Sequence, residues 1–512
     1  MKRRSKFNLS FYNMLSCKMG YLVPVGLTEL LPGDSIQLSH NMLMRLAPMV
    51  APVMHPVHVT IQTFFTPLRI IFDDFESAIT GGPDGTDATV FPTVSIKPEQ
   101  STLADYLGLP LAPNSLTVSA LPFRAYDLIY NEYYRDQDLT PELPISKDAG
   151  VDTTTSTTLQ RVSWSKDYFT TARPWPQKGP TVTVPVDMGS AGLPTLTFTG
   201  QLQNKAVSGP FQTISGPPSA GGGYATLMGR ANHEYVWNDG SPDSTPITGL
   251  AGLNVIDGTV SGTIDYKPGQ AGIGSISVTS LREAFAIQRF QEQRGLFGSR
   301  YEDYLRTLGV RPQDSRLQMP EYLGGSTRTI QFSEVLQTGG DTIGQLYGHG
   351  IAALGSRRIR YFAPEHGYLM SLMFVRPIPV YAQGIDKLWS RKTKEDFWQP
   401  QFEHIGQQKV LTKELYATGS PDTDDATWGW QNRYDEYRRG VNHVSGEFRE
   451  TQDYWHMARM FASNPVLNSD FVQCHPTDRI FQASEANADQ LLCMVQNRLI
   501  ARRLVSKNGN PI

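Results

Sequence analysis

The stretch VHVTIQTFFTPLRIIF, residues 57–72, constrains the fold more than any other part of this 512-residue chain. Val57, Val59, Ile61, Thr63 and Phe65 fall at every second position, with His58, Thr60 and Gln62 between them. A period of two sends the first set to one side of a β-strand and the second to the other. The spacing predicts a half-buried strand, which Pro67 ends or confines to an edge.

The elements around it give the fold class. Upstream, GYLVPVGLTELLPGDSIQLS has a Pro32-Gly33 turn signal between two apolar stretches. Downstream, ALPFRAYDLIYNEYYRDQD predicts a helix, with Ser119 as its cap and Pro122 in its first turn. Phe123, Tyr126, Ile129, Tyr130 and Tyr133 make an apolar stripe on that helix. Such a row can stack bases, but core packing is the expected role. The tract WSKDYFTTARPWPQKGPTVTVPV holds Pro174, Pro176 and Pro180, which forbid a regular helix and predict an extended segment. Helical spacing returns in SLREAFAIQRFQEQRGLFGSRYEDYLRTLG, through Leu281, Phe285, Ile287, Phe290, Tyr301, Tyr304 and Leu305. Short β-like runs follow, TIQFSEVLQT, YLMSLMFVRPIPVY and KVLTKELY, and a short helix is expected in EANADQLLCMVQNRLIARR. No βαβ rhythm appears. The chain is expected to be mainly β, an antiparallel sandwich with helices in its connections.

One block differs in kind. Residues 191–280 hold 16 of the 45 glycines and 7 of the 35 prolines, but only eight charged residues. Short alternating pieces survive in it, TLTFTG and SISV. Long loops with a few strands, projecting from the surface, are expected there. Three parts follow: 1–186 with a basic arm at about 1–19, the insertion 187–280, and 281–512 with a basic end.

Charge argues against a polyanion binder by bulk. Lys and Arg number 46 against 49 Asp and Glu, a net charge of -3, so any electrostatic partner must meet a local patch. Both ends are such patches. Lys2, Arg3, Arg4 and Lys6 precede the first acid, Glu29, while Arg498, Arg502, Arg503 and Lys507 follow the last, Asp489. The basic start has no apolar run of roughly 7–15 residues behind it, so it is not read as a secretory signal. No apolar stretch of about 18 residues occurs, and no membrane span is expected. Cys17, Cys474 and Cys493 show no CxxC or metal spacing and fit a reducing compartment.

Catalytic patterns are missing: no GxSxG, HExxH, Walker loop or kinase set occurs. No enzymatic activity and no cofactor are expected. The glycine-rich residues 339–350 lack the Lys-Ser/Thr of a phosphate cradle and read as a flexible turn. Asp73, Asp74 and Glu76 in IFDDFE are weak candidates for a hard cation; a solvated strand end is expected instead. In WGWQNRYDEYRR, the residues Trp428, Trp430, Arg433, Tyr434 and Tyr437 combine the side chains that dominate subunit interfaces.

Longer motifs carry a resemblance. RRSKFNLS, HPVHVTIQTFFTPLRIIFDDFESAITGG, SALPFRAYDLIYNEYYRDQDL, DYFTTARPWPQKGP, LREAFAIQRFQEQRGLFGSRYEDYLRTLGVRPQDSRLQMPEYLGGS, VRPIPVYAQGIDKLWSRKTKEDFWQPQFEHIGQQ and WGWQNRYDEYR occur in order along the chain. In these motifs it resembles the major capsid proteins of microviruses of the gokushovirus group, tailless phages with circular single-stranded DNA. The resemblance implies an eight-stranded antiparallel jelly roll with long loop and helix insertions, sixty copies of which form a small icosahedral shell. It implies that residues 187–280 protrude at threefold axes for host attachment. It implies partners: packaged DNA, a small basic DNA-binding protein, scaffolding and spike or pilot proteins, and a receptor on the bacterial surface. The expected location is the virion, after assembly in the host cytoplasm. Lys2, Arg3, Arg4, Lys6, Arg502 and Arg503 become candidates for DNA contact on the inner surface. The alternative is a jelly-roll carbohydrate-binding module.

Overall fold

A computed structural model of the chain describes residues 4–180, 182, 195–201, 224–225, 237–238, 253–256, 259–265, 278–298, 300–309, 318–336, 346–482 and 488–507. It divides into two compact units, one of residues 1–180 with 289–512 and one of residues 181–288.

The larger unit is mainly β. The strands of its two main sheets are β1 (Ser5–Asn8), β2 (Phe11–Cys17), β3 (Val23–Leu30), β4 (Ser35–Leu46) and β5 (Val57–Pro67), then β6 (Glu321–Thr329), β7 (Gln331–Leu336), β8 (Leu346–Gly355), β9 (Ile359–Phe362), β10 (Gly367–Pro377) and β11 (Leu491–Arg503). All pair antiparallel, in two sheets. The seven-stranded sheet runs β1–β11–β4–β8–β7, with β2 also on β11 and β9 also on β4. The four-stranded sheet runs β6–β5–β10–β3. The chain turns between sheets at Gly33, whose φ of +86° suits a residue without Cβ. It switches sheets again at buried Ile330, which joins β6 to β7 and donates its N–H to Val57.

The sheets face each other across an apolar core. Val25, Met44, Ile61, Met373 and Val495 fill one part, and Ile36, Phe65, Leu369 and Leu499 another. A polar knot lies between the sheets. His40 Nδ1 meets Asn497 Oδ1 at 2.7 Å and His40 Nε2 meets Thr63 Oγ1 at 3.0 Å. Thr63 Oγ1 lies 3.0 Å from Ser371 Oγ, and Asn497 Nδ2 donates to the Val25 carbonyl at 2.8 Å. Partnered this way, the polar atoms escape most of the cost of burial, and they fix the register of four strands. Burial holds the His40 pKa below its ordinary value.

Strand β5 is the predicted one and ends at Pro67 as expected, but it is not half-buried. Its second face is covered too: Thr60 and Phe64 are buried. The cover is helix α1 (Leu121–Ile129), continued by a turn of π-helix at Tyr130–Tyr134. Phe123, Tyr126, Ile129 and Tyr130 pack there with Phe64, Leu372 and Phe374. The aromatic stripe is therefore core. Ser119 is not the N-cap, a place taken by Ala120 with no side-chain cap bond.

Two further expectations fail. The segment read as a C-terminal helix is β11, a 13-residue strand hydrogen-bonded on both sides. Its buried positions alternate, but Cys493, Asn497 and Ala501 sit inward while Leu492 and Met494 are exposed, so apolar and polar do not alternate in step. The glycine run 339–350 is no turn where it is described, since residues 346–350 belong to β8. Gly348 is packed so closely that a Cβ would meet the Ala51 carbonyl oxygen at 2.1 Å. In the smaller unit, strands Thr195–Gln201, Thr259–Asp265 and Leu253–Ile256 form a three-stranded antiparallel sheet. SISV is not a strand at its end: Val278 opens the helix Val278–Phe297.

Candidate nucleic-acid interface

Among the described residues no helix is laid over the outward face of the seven-stranded sheet, and register alone assigns its side chains. Residues directly opposite one another in an antiparallel pair share a face. Lys6, Arg502, Ser35 and Phe362 form one row across β1, β11, β4 and β9. Two residues along, the row is Asn8, Ile500, Gln37 and Arg360. Arg498 and Ser39 come next, then Tyr12, Gln496 and Asn41. Beyond these lie Met14, Met494 and Leu43, and finally Ser16, Leu492 and Arg45.

The rows are graded. Four cations, Lys6, Arg360, Arg498 and Arg502, are exposed at one end of the face. Arg4 joins them: its Nη1 donates to Ser35 Oγ at 3.3 Å and its guanidinium lies 5.2 Å from the centre of the exposed Phe362 ring. The middle is polar, with Gln496 Nε2 donating to the Tyr12 hydroxyl at 2.9 Å. The far end is apolar, with Met14, Met494 and Leu492 exposed. No position in these rows is Asp or Glu; the carboxylate of Asp489 accepts from Ser16 only at the far end.

Lys6 lies directly opposite Arg502. Like charges in that relation destabilise a sheet. Left to itself, the pair lowers the stability of the fold; with an anion over it, it becomes a binding group. Guanidinium groups and a lysine beside an exposed aromatic ring suit a single strand, whose phosphates attract cations and whose bases stack.

The other candidates fall differently. Lys2 and Arg3 lie outside the described residues. Arg503 points to the opposite side of β11 from Arg502. Its Nε lies 2.9 Å from Oδ2 of fully buried Asp34 and its Nη2 donates to the Glu29 carbonyl, so it is tied within the subunit. Asp73, Asp74 and Glu76 are exposed, and among the described residues no group of three or more His, Cys, Asp or Glu could hold a metal ion.

The WGWQNRYDEY residues do not form one exposed patch. Trp428 is buried against Phe169 and Phe471 and donates its indole N–H to the Pro465 carbonyl at 2.8 Å. Tyr434 is buried, Trp430 and Arg433 are half-buried, and only Tyr437 is exposed. Sequence reasoning missed Arg45 and Arg360, and it missed the exposed Phe362. Arg360 sits in FAPEHGY-flanked RRIRYF, where nothing local shows that it will share a face with a residue near the start of the chain. No helix among the described residues is long and apolar enough to cross a membrane.

Comparison with known proteins gives the family. The model of the phage F capsid protein family matches residues 1–511. The chain is 33% identical to capsid protein VP1 of Bdellovibrio phage phiMH2K, over 93% of this chain and 89% of the relative. It is 31% identical to capsid protein VP1 of Chlamydia phage 1, over 93% and 90%, and 28% identical to that of Spiroplasma virus 4, over 92% and 87%. The chain therefore belongs to the phage F capsid protein family, a structural protein whose copies assemble into the capsid of a microvirus particle.

Proposed function

We propose that sixty copies of this chain form a small icosahedral shell around a circular single-stranded DNA genome, with the open face of the seven-stranded sheet turned toward the DNA. The observation that carries the inward face is the Lys6–Arg502 pair in a corner of five cations without a carboxylate. Lys2 and Arg3, which precede the described residues in the same basic arm, would add charge for the same partner. A separate small basic protein would share the neutralisation of the genome.

The strand order supports a jelly roll. β1 and β2 lie end to end on β11, β8 and β9 lie end to end on β4, and β7 prolongs β6 across the sheet corner. Counted this way the strands number eight, in chain order A to H, and the sheets run A–H–C–F and B–G–D–E. That interleaving puts the last strand beside the first. The insertion 187–280 is read as the threefold protrusion that meets the host surface, its sparse charge and many glycines suiting three tips crowded at one axis. Assembly takes place in the host cytoplasm with scaffolding and pilot proteins.

The test uses particles made by the full chain. Electron micrographs should show uniform small icosahedra. Replacing Arg4, Lys6, Arg360 and Arg502 together with Ala should leave shells that form but hold less DNA. Binding of the isolated subunit to a single-stranded oligonucleotide should lose roughly 0.7 from its log–log salt slope for each phosphate contact removed. Unchanged DNA content and unchanged salt slope would refute the inward face; absence of particles from the unaltered chain would refute the shell.

A further inference from the structure

Among the described residues the most exposed tryptophans lie in the loop between β10 and the strand Gln407–Leu411. Trp389 is 75% exposed and Trp398 48%, with Phe397, Leu388 and Ile405 also exposed. Large aromatic side chains held in water together mark an interaction surface. The loop is not slack. Asp386 caps its first turn by accepting from Leu388 N at 3.0 Å. Asp396 accepts from Lys392 N at 2.9 Å and Thr393 N at 2.8 Å. Arg391 lies 4.5 Å from the Tyr437 ring and 5.5 Å from that of Phe397. The Tyr437 hydroxyl accepts from Trp398 N at 3.3 Å and the Tyr434 hydroxyl from Gln399 N at 3.2 Å. The tyrosines of the WGWQNRYDEY motif thus brace the loop. A loop whose backbone is fixed before contact loses less entropy on binding.

The edge of the loop carries more cations than acids: Lys392 and Lys394 are exposed beside Arg391, with Glu395 3.7 Å from Lys394 and Asp396 engaged by the loop's own backbone. A surface of the opposite character occurs on the same chain. From residue 70 to 96 there are five acids, Asp73, Asp74, Glu76, Asp84 and Asp87, and no Lys or Arg. All five are exposed, and so are Ile79, Val90 and Phe91 among them. One surface is aromatic with a basic edge; the other is apolar with an acidic edge. Two different patches on one chain make a head-to-tail contact, which closes into a ring when the rotation fits.

We propose that Trp389 and Trp398 of one copy dock on residues 73–91 of a second copy, with Lys392 and Lys394 against Asp73 and Asp74. This rests on the shell reading. It gives the Asp73–Asp74 pair a part in assembly rather than in metal binding. Aromatic anchors of this kind commonly contribute 2 kcal/mol or more, about a thirtyfold loss of association on truncation.

The test places a photo-reactive phenylalanine analogue at position 389 in particles made by the full chain. A dimer of this chain, with the cross-link mapping to residues 70–96, is the expected product. A cross-link within one chain, to another part of the second copy, or to none would overturn the inference, while the particles themselves still report on the shell. A second arm guards against misfolding. Lys392→Glu with Lys394→Glu should lower particle yield at least about tenfold while leaving the melting of the free subunit unchanged. Asp73→Lys with Asp74→Lys in the same chain should restore the yield. Failure of the restoration would also overturn it.

Discussion

The two sheets of the sandwich meet across one core but differ on their far sides. The four-stranded sheet is covered there by α1, so that Phe64, Leu372 and Phe374 lie among aromatic side chains. The seven-stranded sheet is open, and its far side is graded from five cations to exposed methionines. The covered face follows packing rules and serves stability. The open face breaks a pairing rule at Lys6 and Arg502, and that is where the proposed contact with DNA lies.

Three measurements on the free subunit would break or sharpen the contrast. The largest effect belongs to the covered face. Phe64→Ala should cost about 3–5 kcal/mol in denaturant unfolding, since it opens a cavity beside Tyr133, Tyr134 and Tyr322. Met494→Ala on the open face should cost less than about 1 kcal/mol; equal losses would erase the distinction.

The second concerns pH. Asp127 on α1 is fully buried, and burial pushes its carboxyl pKa up to about 8, with the Asp152 charge adding to the rise. The folded state holds that proton while the unfolded state gives it up near the ordinary value of 3.8. Its contribution to stability is therefore full below pH 4, falls as pH rises from about 4 to 8, and is flat above. The slope should be on the order of 1 kcal/mol per pH unit, and Asp127→Asn should abolish it. An unaltered slope in the variant would show that the proton is held elsewhere.

The smallest effect is the most telling. Lys6→Thr removes the like-charge pair and should raise subunit stability by roughly 0.2–1 kcal/mol at low salt, less at high salt. The same change should weaken binding to single-stranded DNA. A residue that lowers stability and raises binding has been kept for the second; a loss of both would make Lys6 an ordinary structural lysine.

Much of this was legible in the sequence where the signal is local. The alternation at Val57–Phe65, the stop at Pro67 and the apolar stripe of α1 are short-range patterns, and each became the element expected. Burial of the second face of β5 was not legible, because His58, Thr60 and Gln62 look like solvent-facing residues until a helix from elsewhere lies on them. β11 was misread because apolar residues stand on both of its faces: Asn497 interrupts the buried row of Leu491, Val495 and Leu499, while Leu492 and Met494 face outward. The basic ends were visible, but not that Lys6 would face Arg502, 496 positions away by subtraction of their numbers. The motif WGWQNRYDEY was visible, but not that the hydroxyls of Tyr437 and Tyr434 would accept from the backbone of Trp398 and Gln399.

The place of β11 has a consequence for how the molecule is made. This strand lies between β4 and the pair β1 and β2, so three early strands wait on a late one for their hydrogen bonds. A nascent chain emerging from the ribosome at about 5–20 residues per second cannot complete that sheet until residue 491 and those after it are free. A chain broken off earlier keeps its cationic strand unpaired and its core open to proteases. Synthesis thus inspects its own product: only a chain read nearly to its end completes the face that would meet the genome.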